Sequence, residues 1–247
     1  MPAREIAFPS GADRVRGLLA LPDGPGLHPA LVVVPDVHGL SALYRDVAAR
    51  LAAEGFGALA IDLYSREGPP TLPDLDAILR WMAALDDRRV LGDLRAAVDH
   101  LAGRADVRAS AIGVTGFCLG GTYALLAAAN DHRLAACVPW YGMVRYAERS
   151  DHKPAAPLDV ADSIRCPVLG LYGEEDALIP LADVAAMRRR LAEAGVTAEL
   201  RTYAGAGHAF FNDQRPDAHR PAAAADAWGR TIAFLRAHLD PRAPRSD

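Results

Sequence analysis

Residues 116 to 121 read Gly116-Phe117-Cys118-Leu119-Gly120-Gly121, set between an apolar run, Ser110 to Thr115, and an Ala/Leu-rich helical stretch, Thr122 to Ala129. An extended segment that turns at once into a helix leaves its central residue strained, and flanking glycines remove the side chains that would clash there. The motif therefore implies a fold in which a strand feeds directly into a helix. The Cys118 sulfur would then lie at the helix N-terminus, where the dipole and the free N–H groups favour a thiolate and, later, the oxyanion of a tetrahedral intermediate. The alternative is that Cys118 is one more buried, small apolar side chain.

A base and an acid follow in the order such a site requires. Tyr203-Ala204-Gly205-Ala206-Gly207-His208 comes after a strand-like run from Ala198 to Thr202, and its glycines describe a loop presenting His208 as the candidate base. Val168 to Tyr172 reads as a short buried strand ending in the acidic turn Gly173-Glu174-Glu175-Asp176, with Asp176 the candidate acid. From Cys118 to Asp176 is 58 residues and from Asp176 to His208 is 32. Nucleophile, acid, histidine is the chain order of the α/β-hydrolase architecture. Asp176 could instead cap a helix starting near Leu181, and His208 is one of eight histidines.

Apolar runs alternate with helical stretches along the chain, the pattern of a mostly parallel central sheet with helices on both faces. A first hairpin is expected from Ile6 to Phe8 and Val15 to Leu21 around Ser10-Gly11-Ala12-Asp13, then a fully buried strand from Ala30 to Val34. Helix Ala42 to Glu54 carries Leu43, Val47 and Leu51 on one face, and strand Gly57 to Ile61 ends at Asp62. Beyond the proline-rich loop Glu67 to Pro73 come helices Leu75 to Leu85 and Leu91 to Ala102, then the Cys118 strand and helix, and strand Leu134 to Trp140. Arg145 to Pro157 is polar and lacks a period, so it reads as an excursion over the face that holds the site. Helix Leu181 to Ala194, strand Ala198 to Tyr203 and a helix from Ala222 to Leu239 complete one domain over residues 1 to 240, with a disordered tail from 241 to 247. In such a sheet the carboxyl ends of the strands open onto one crevice. Asp36, Asp62, Cys118, Tyr141, Asp176 and His208 all follow strand ends and so can converge there. Asp62 is expected to fix a loop, through a hydrogen bond or by pairing with Arg66.

Composition narrows the function classes. At 247 residues the chain is long enough to bury a sizeable core as one domain, and a formal net charge of -4 offers no basic field for nucleic acid or anionic lipid. The opening Met1-Pro2-Ala3-Arg4-Glu5 leads into a polar segment without a signal-peptide core or a membrane-spanning run, so the expectation is a cytoplasmic protein, monomeric or a small homo-oligomer. Cys118, Cys137 and Cys166 form no CxxC pair, which argues against a disulfide framework or a zinc site, and neither a metal nor a cofactor is expected.

Beyond these local readings, the chain resembles the dienelactone hydrolase (carboxymethylenebutenolidase) family. The resemblance is carried by Pro35-Asp36-Val37-His38-Gly39, Asp62-Leu63-Tyr64-Ser65-Arg66, Gly92-Asp93-Leu94, the Cys118 hexapeptide, Trp140-Tyr141-Gly142, Gly173-Glu174-Glu175-Asp176 and Gly207-His208-Ala209-Phe210. It implies a single α/β-hydrolase domain in which Cys118, His208 and Asp176 open an ester or lactone through an acyl-thioester, without a cofactor. The oxyanion would lie between the backbone N–H of Leu119, just after the nucleophile, and that of Val37. Tyr141, Phe210, Phe211 and Asn212 would line the substrate, although Phe210 and Phe211 are equally well read as core residues anchoring the histidine loop. His38 could face the pocket or solvent.

Two departures from the family pattern bear on chemistry. Asp36 stands where the family has a glutamate that holds the resting thiol, and it is one methylene shorter. Asn212 stands where the dienelactone enzymes place an arginine on the substrate carboxylate, and Arg80 is a loose candidate for the second family arginine. A broad carboxylesterase or thioesterase, a catalytically silent binding protein of the same fold and a thiol redox sensor are the rival readings.

Overall fold

The computed structural model describes residues 3–239, and the expected disordered tail lies outside them. Strands β1 (Arg4–Ser10) and β2 (Asp13–Ala20) form the expected hairpin, closed by a turn in which Gly11 has φ 59°. Then follow β3 (His28–Val34), α1 (Ala42–Ala53), β4 (Gly57–Ile61), α2 (Leu75–Ala84), α3 (Asp87–Ala102), β5 (Val107–Phe117) and α4 (Leu119–Asn130). The chain ends with β6 (Cys137–Trp140), β7 (Val168–Gly173), α5 (Leu181–Glu193), β8 (Ala198–Tyr203) and α6 (Pro221–Leu239).

The eight strands form one sheet in the order β1-β2-β4-β3-β5-β6-β7-β8, with β2 antiparallel to its neighbours and all pairs from β4 to β8 parallel. From β3 the chain steps one way to β4, whereas from β5 it steps the other way to β6, β7 and β8. Right-handed crossovers then put α1 on one face and α3, α4 and α5 on the opposite one. Helix α6 returns to the α1 side, where Arg236 pairs with Glu54 at 2.6 Å and Arg50 lies over the Trp228 ring. Covered on both faces, the central strands are continuous apolar runs, and Ala30 to Val34 and Ala58 to Ile61 are all at most 1% exposed. The reversal of direction lies between β3 and β5, so the crevice at their carboxyl ends is the topological switch point.

Two elements depart from the sequence expectation. Helix α3 begins at Asp87 rather than Leu91, because the Asp86 carboxylate accepts the Arg88 N–H and starts the helix a turn earlier. Strand β6 is limited to Cys137–Trp140, since Leu134 is drawn into a turn by its N–H bond to Asp131. Asp62 fixes its loop by accepting the Tyr64 N–H, and its ion pair is with Arg16 at 2.8 Å rather than with Arg66, which reaches Asp13 and makes a bidentate pair with buried Asp93.

The polar excursion after β6 is pinned by a buried ion pair. Lys153 reaches Asp87 at 2.5 Å, both side chains being at most 6% exposed, and the Tyr123 and Tyr146 hydroxyls donate to the same carboxylate. The ammonium also lies over both tyrosine rings, which helps to offset its desolvation. Removing one member of such a pair strands the other charge in the interior. Lys153→Met is therefore expected to lower the unfolding free energy by about 3 to 5 kcal/mol in urea titrations; a loss below about 1 kcal/mol would show that Asp87 is not held as a buried charge.

Candidate active site

At the switch point β5 runs into α4 through Cys118 alone, with φ 56° and ψ -118°. That left-handed φ is costly for a residue with a Cβ. It is enforced by close backbone packing: a Cβ on Gly116 would sit 2.0 Å from the Gly120 carbonyl oxygen, and one on Gly120 would sit 2.0 Å from that of Val34. The Cys118 N–H is tied to the Trp140 carbonyl at 3.0 Å, which fixes the turn against β6. Cys118 is partly exposed, whereas Cys137 and Cys166 are buried, and burial raises both of those thiols, Cys166 to about 11.

The acid and base meet as the spacing suggested. His208 Nδ1 lies 2.7 Å from Asp176 Oδ2, whose side chain is fully buried. The other oxygen of Asp176 accepts the Leu178 N–H at 2.9 Å, so this residue caps a turn and orients the imidazole at once. Nε2 of His208 is buried and has no hydrogen-bond partner among the described residues. Burial opposes charge on this ring, but the nearby Cys118 sulfur as thiolate and the Asp176 carboxylate outweigh it and push the pKa up to about 10. The sulfur and imidazole are close enough to couple electrostatically, although no hydrogen bond of good geometry joins them. The edge of Tyr141, itself at φ 38°, packs on the His208 ring with centroids 5.2 Å apart.

The loop after β3 is held by two tyrosines that local sequence patterns did not single out as site residues. The Asp36 N–H donates to the Tyr44 hydroxyl at 2.9 Å, and the Tyr64 hydroxyl donates to the Val37 carbonyl. The carboxylate of Asp36 accepts the His38 N–H at 2.8 Å, closing a turn that leaves His38 exposed. Among the described residues, no hydrogen bond joins Asp36 to Cys118, and the N–H groups of Val37 and Leu119 have no protein acceptor. Burial and the charges of Asp36 and Cys118 raise the Tyr141 hydroxyl, so it shares an electrostatic environment with both.

Other expected contacts sit elsewhere. Phe210 is fully buried against Tyr141, Tyr203 and Trp140, and Phe211 is buried against Phe117, Trp140 and Trp228, so both anchor the histidine loop in the core. Asn212 is 8% exposed and its amide oxygen accepts the Gln214 N–H, which closes the turn after Phe211. The same loop does carry a cation, Arg215, which is half exposed beside Asp217 at 3.7 Å and close enough to counter the rise at Tyr141. Among the described residues no group of three or more histidines, cysteines and carboxylates could hold a metal ion, and no helix is long and apolar enough to cross a membrane.

Comparison with known sequences assigns this arrangement to a family, since the model of the Dienelactone hydrolase family matches residues 15–239. The chain belongs to the dienelactone hydrolase family. It is 43% identical over 221 residues to a Bradyrhizobium protein described as a probable 2-oxo-3-(5-oxofuran-2-ylidene)propanoate lactonase, covering 90% of this chain and 88% of the relative. It is 35% identical over 231 residues to the carboxymethylenebutenolidase of Rhodococcus opacus, covering 93% and 88%. The crystal structure of a dienelactone hydrolase candidate from Klebsiella pneumoniae superimposes with a TM-score of 0.89 at 36% identity, covering 94% of this chain and 97% of the other. As a member of the dienelactone hydrolase family, the chain is a hydrolase of the ester and lactone type with the α/β-hydrolase fold.

The coupling of His208 to the Cys118 sulfur makes a titration testable. Loss of a neighbouring negative charge lowers the pKa of a histidine. In Cys118→Ser, followed by NMR of the imidazole protons, His208 should give up its proton about one to three pH units below the wild-type value; an unmoved titration would show that the sulfur carries no charge beside it.

Proposed function

We propose that the chain hydrolyses lactones or carboxylic esters through an acyl-thioester on Cys118. The observation that carries this reading is the buried Asp176–His208 pair at 2.7 Å, whose free Nε2 is coupled to the sulfur at the head of α4. The thiolate attacks the carbonyl carbon, the carbonyl π pair moves onto oxygen, and the oxyanion is met by the N–H groups of Leu119 and Val37. Collapse of this intermediate expels the alkoxide, which takes the imidazolium proton from Nε2 of His208. Neutral His208 then accepts a proton from water as the water attacks the thioester. A second collapse releases the carboxylic acid and returns the thiolate and imidazolium. Throughout, Asp176 holds the Nδ1–H tautomer and stabilises the imidazolium.

The leaving groups decide which acyl compounds turn over. A thiolate leaves far more readily than an amine, so a tetrahedral intermediate formed from an amide reverts by expelling sulfur. Esters, enol esters and lactones are the substrates consistent with this balance. Asp36, engaged with the His38 N–H, supports the loop that carries Val37 rather than holding the thiol. Lactone substrates are supported by the lactonase and carboxymethylenebutenolidase names of the relatives, and Arg215 is the cation on the histidine loop that an acidic lactone would meet.

The test is turnover of p-nitrophenyl acetate and of a dienelactone by wild type and Cys118→Ala under reducing conditions, with mass spectrometry of the enzyme quenched during turnover. Both substrates should lose at least about a thousandfold in kcat/KM in the variant, and the wild-type peptide containing Cys118 should carry the acyl mass. Turnover that survives in Cys118→Ala would overturn the thiol mechanism.

A further inference from the structure

Beside the candidate site, on the α4 side of the sheet, lies a largely apolar cavity of about 330 Å³. One wall is the first turn of α4, with Leu119 and Thr122; the second is the loop after β6, with Met143 and Tyr146; the roof is α2, with Leu79 and Met82. Leu119 connects the cavity to the reaction centre, because its N–H is the expected oxyanion donor and its side chain is part of the cavity wall. The roof is unusual among the helices of the chain. Helix α2 has a marked apolar face, yet buries no residue fully, and Leu75 and Leu79 are 50% and 39% exposed.

Lys153 is taken up by Asp87, and the remaining charged residues of the cavity are one of each sign, Arg80 and Glu148. The cavity walls also include no residue of the histidine loop, Tyr203 to Asn212. In any attack by Cys118 the leaving oxygen must face His208 to be protonated, so a cavity away from His208 receives the other substituent of the carbonyl carbon, the acyl chain.

We propose that this cavity is an acyl subsite for an uncharged, medium-length aliphatic chain. The proposal rests on the thiol-hydrolase reading and adds the chemical class of the acyl group. It is read from kcat/KM for p-nitrophenyl acetate, butyrate, hexanoate and hemiglutarate, so that the leaving group stays constant. In the wild type the hexanoate-to-acetate ratio should exceed about tenfold, and Leu79→Asp should bring it to near unity, a ratio that loss of folded protein does not move. A flat chain-length profile overturns the subsite, as does a preference for hemiglutarate that disappears in Arg80→Gln. Acetate turnover dependent on Cys118 alongside a flat profile would sink the subsite alone, whereas turnover independent of Cys118 would sink the reading beneath it.

Discussion

Helix α4 starts with its backbone against the Val34 carbonyl at the end of β3, closer than any side chain would allow. Gly116 and Gly120 make that approach possible, and the approach dictates the φ of Cys118 between them. The rest of the site is referred to this contact. It sets the head of α4 beside the loop after β3, so that the N–H groups of Leu119 and Val37 share one crevice. It also leaves the sulfur at the switch point, toward which the loops after β6, β7 and β8 converge. A side chain on Gly120 would meet the Val34 carbonyl and push α4 from β3, and one on Gly116 would meet the Gly120 carbonyl and push α4 from β5, so either would displace the head of α4.

The electrostatics follow from how the acid is housed. Asp176 is buried, but both of its oxygens are used, one by a backbone N–H and one by His208, so neither is left without a partner. The imidazole thus has a fixed anion behind it and the sulfur in front of it. Its raised pKa is the net result of two attractions that exceed the cost of burial. Asp36, the shorter acid, makes no bond to Cys118 among the described residues: its carboxylate is occupied in the turn that carries Val37.

Local patterns in the sequence were enough to read the strand and helix order, the elbow at Cys118, and the Asp176 and His208 loops, because each is a contiguous run with its own period or turn chemistry. What they left unread are partnerships set by strand order. Asp62 pairs with Arg16 because β2 lies beside β4, whereas the sequence neighbour Arg66 is drawn across to Asp93 on α3. Tyr44 on an amphipathic helix looks like any core residue until β3 brings the Asp36 N–H to its hydroxyl. Lys153 sat in a stretch read as a polar excursion, and nothing local distinguishes a lysine destined for a buried aspartate 66 residues earlier. Phe210 and Asn212, placed near substrate by adjacency to His208, instead hold the histidine loop from behind, Phe210 through the rings packed around it and Asn212 through the Gln214 N–H, contacts that adjacency in sequence does not show.

The two sides of the apolar cavity are held with unequal firmness. On one side, Tyr146 and Lys153 are locked to α3 and α4 through Asp87 and Tyr123, a network that cannot yield without exposing a charge to the interior. On the other, α2 contributes apolar side chains that are only partly buried and is anchored at its start by the Asp74 cap on Ala77. Opening the cavity at the α2 side therefore breaks few contacts, while opening it at the loop side breaks a buried ion pair. Regions with few buried apolar contacts are where low-energy opening occurs. An acyl chain entering beneath α2 would supply the burial that the helix lacks, so the same contacts that hold the substrate would also seat the roof. With an acyl chain in place, the rigid wall would hold Leu119 while the roof adapted to the chain, which would separate the demands of catalysis from those of substrate choice within one short stretch of α4.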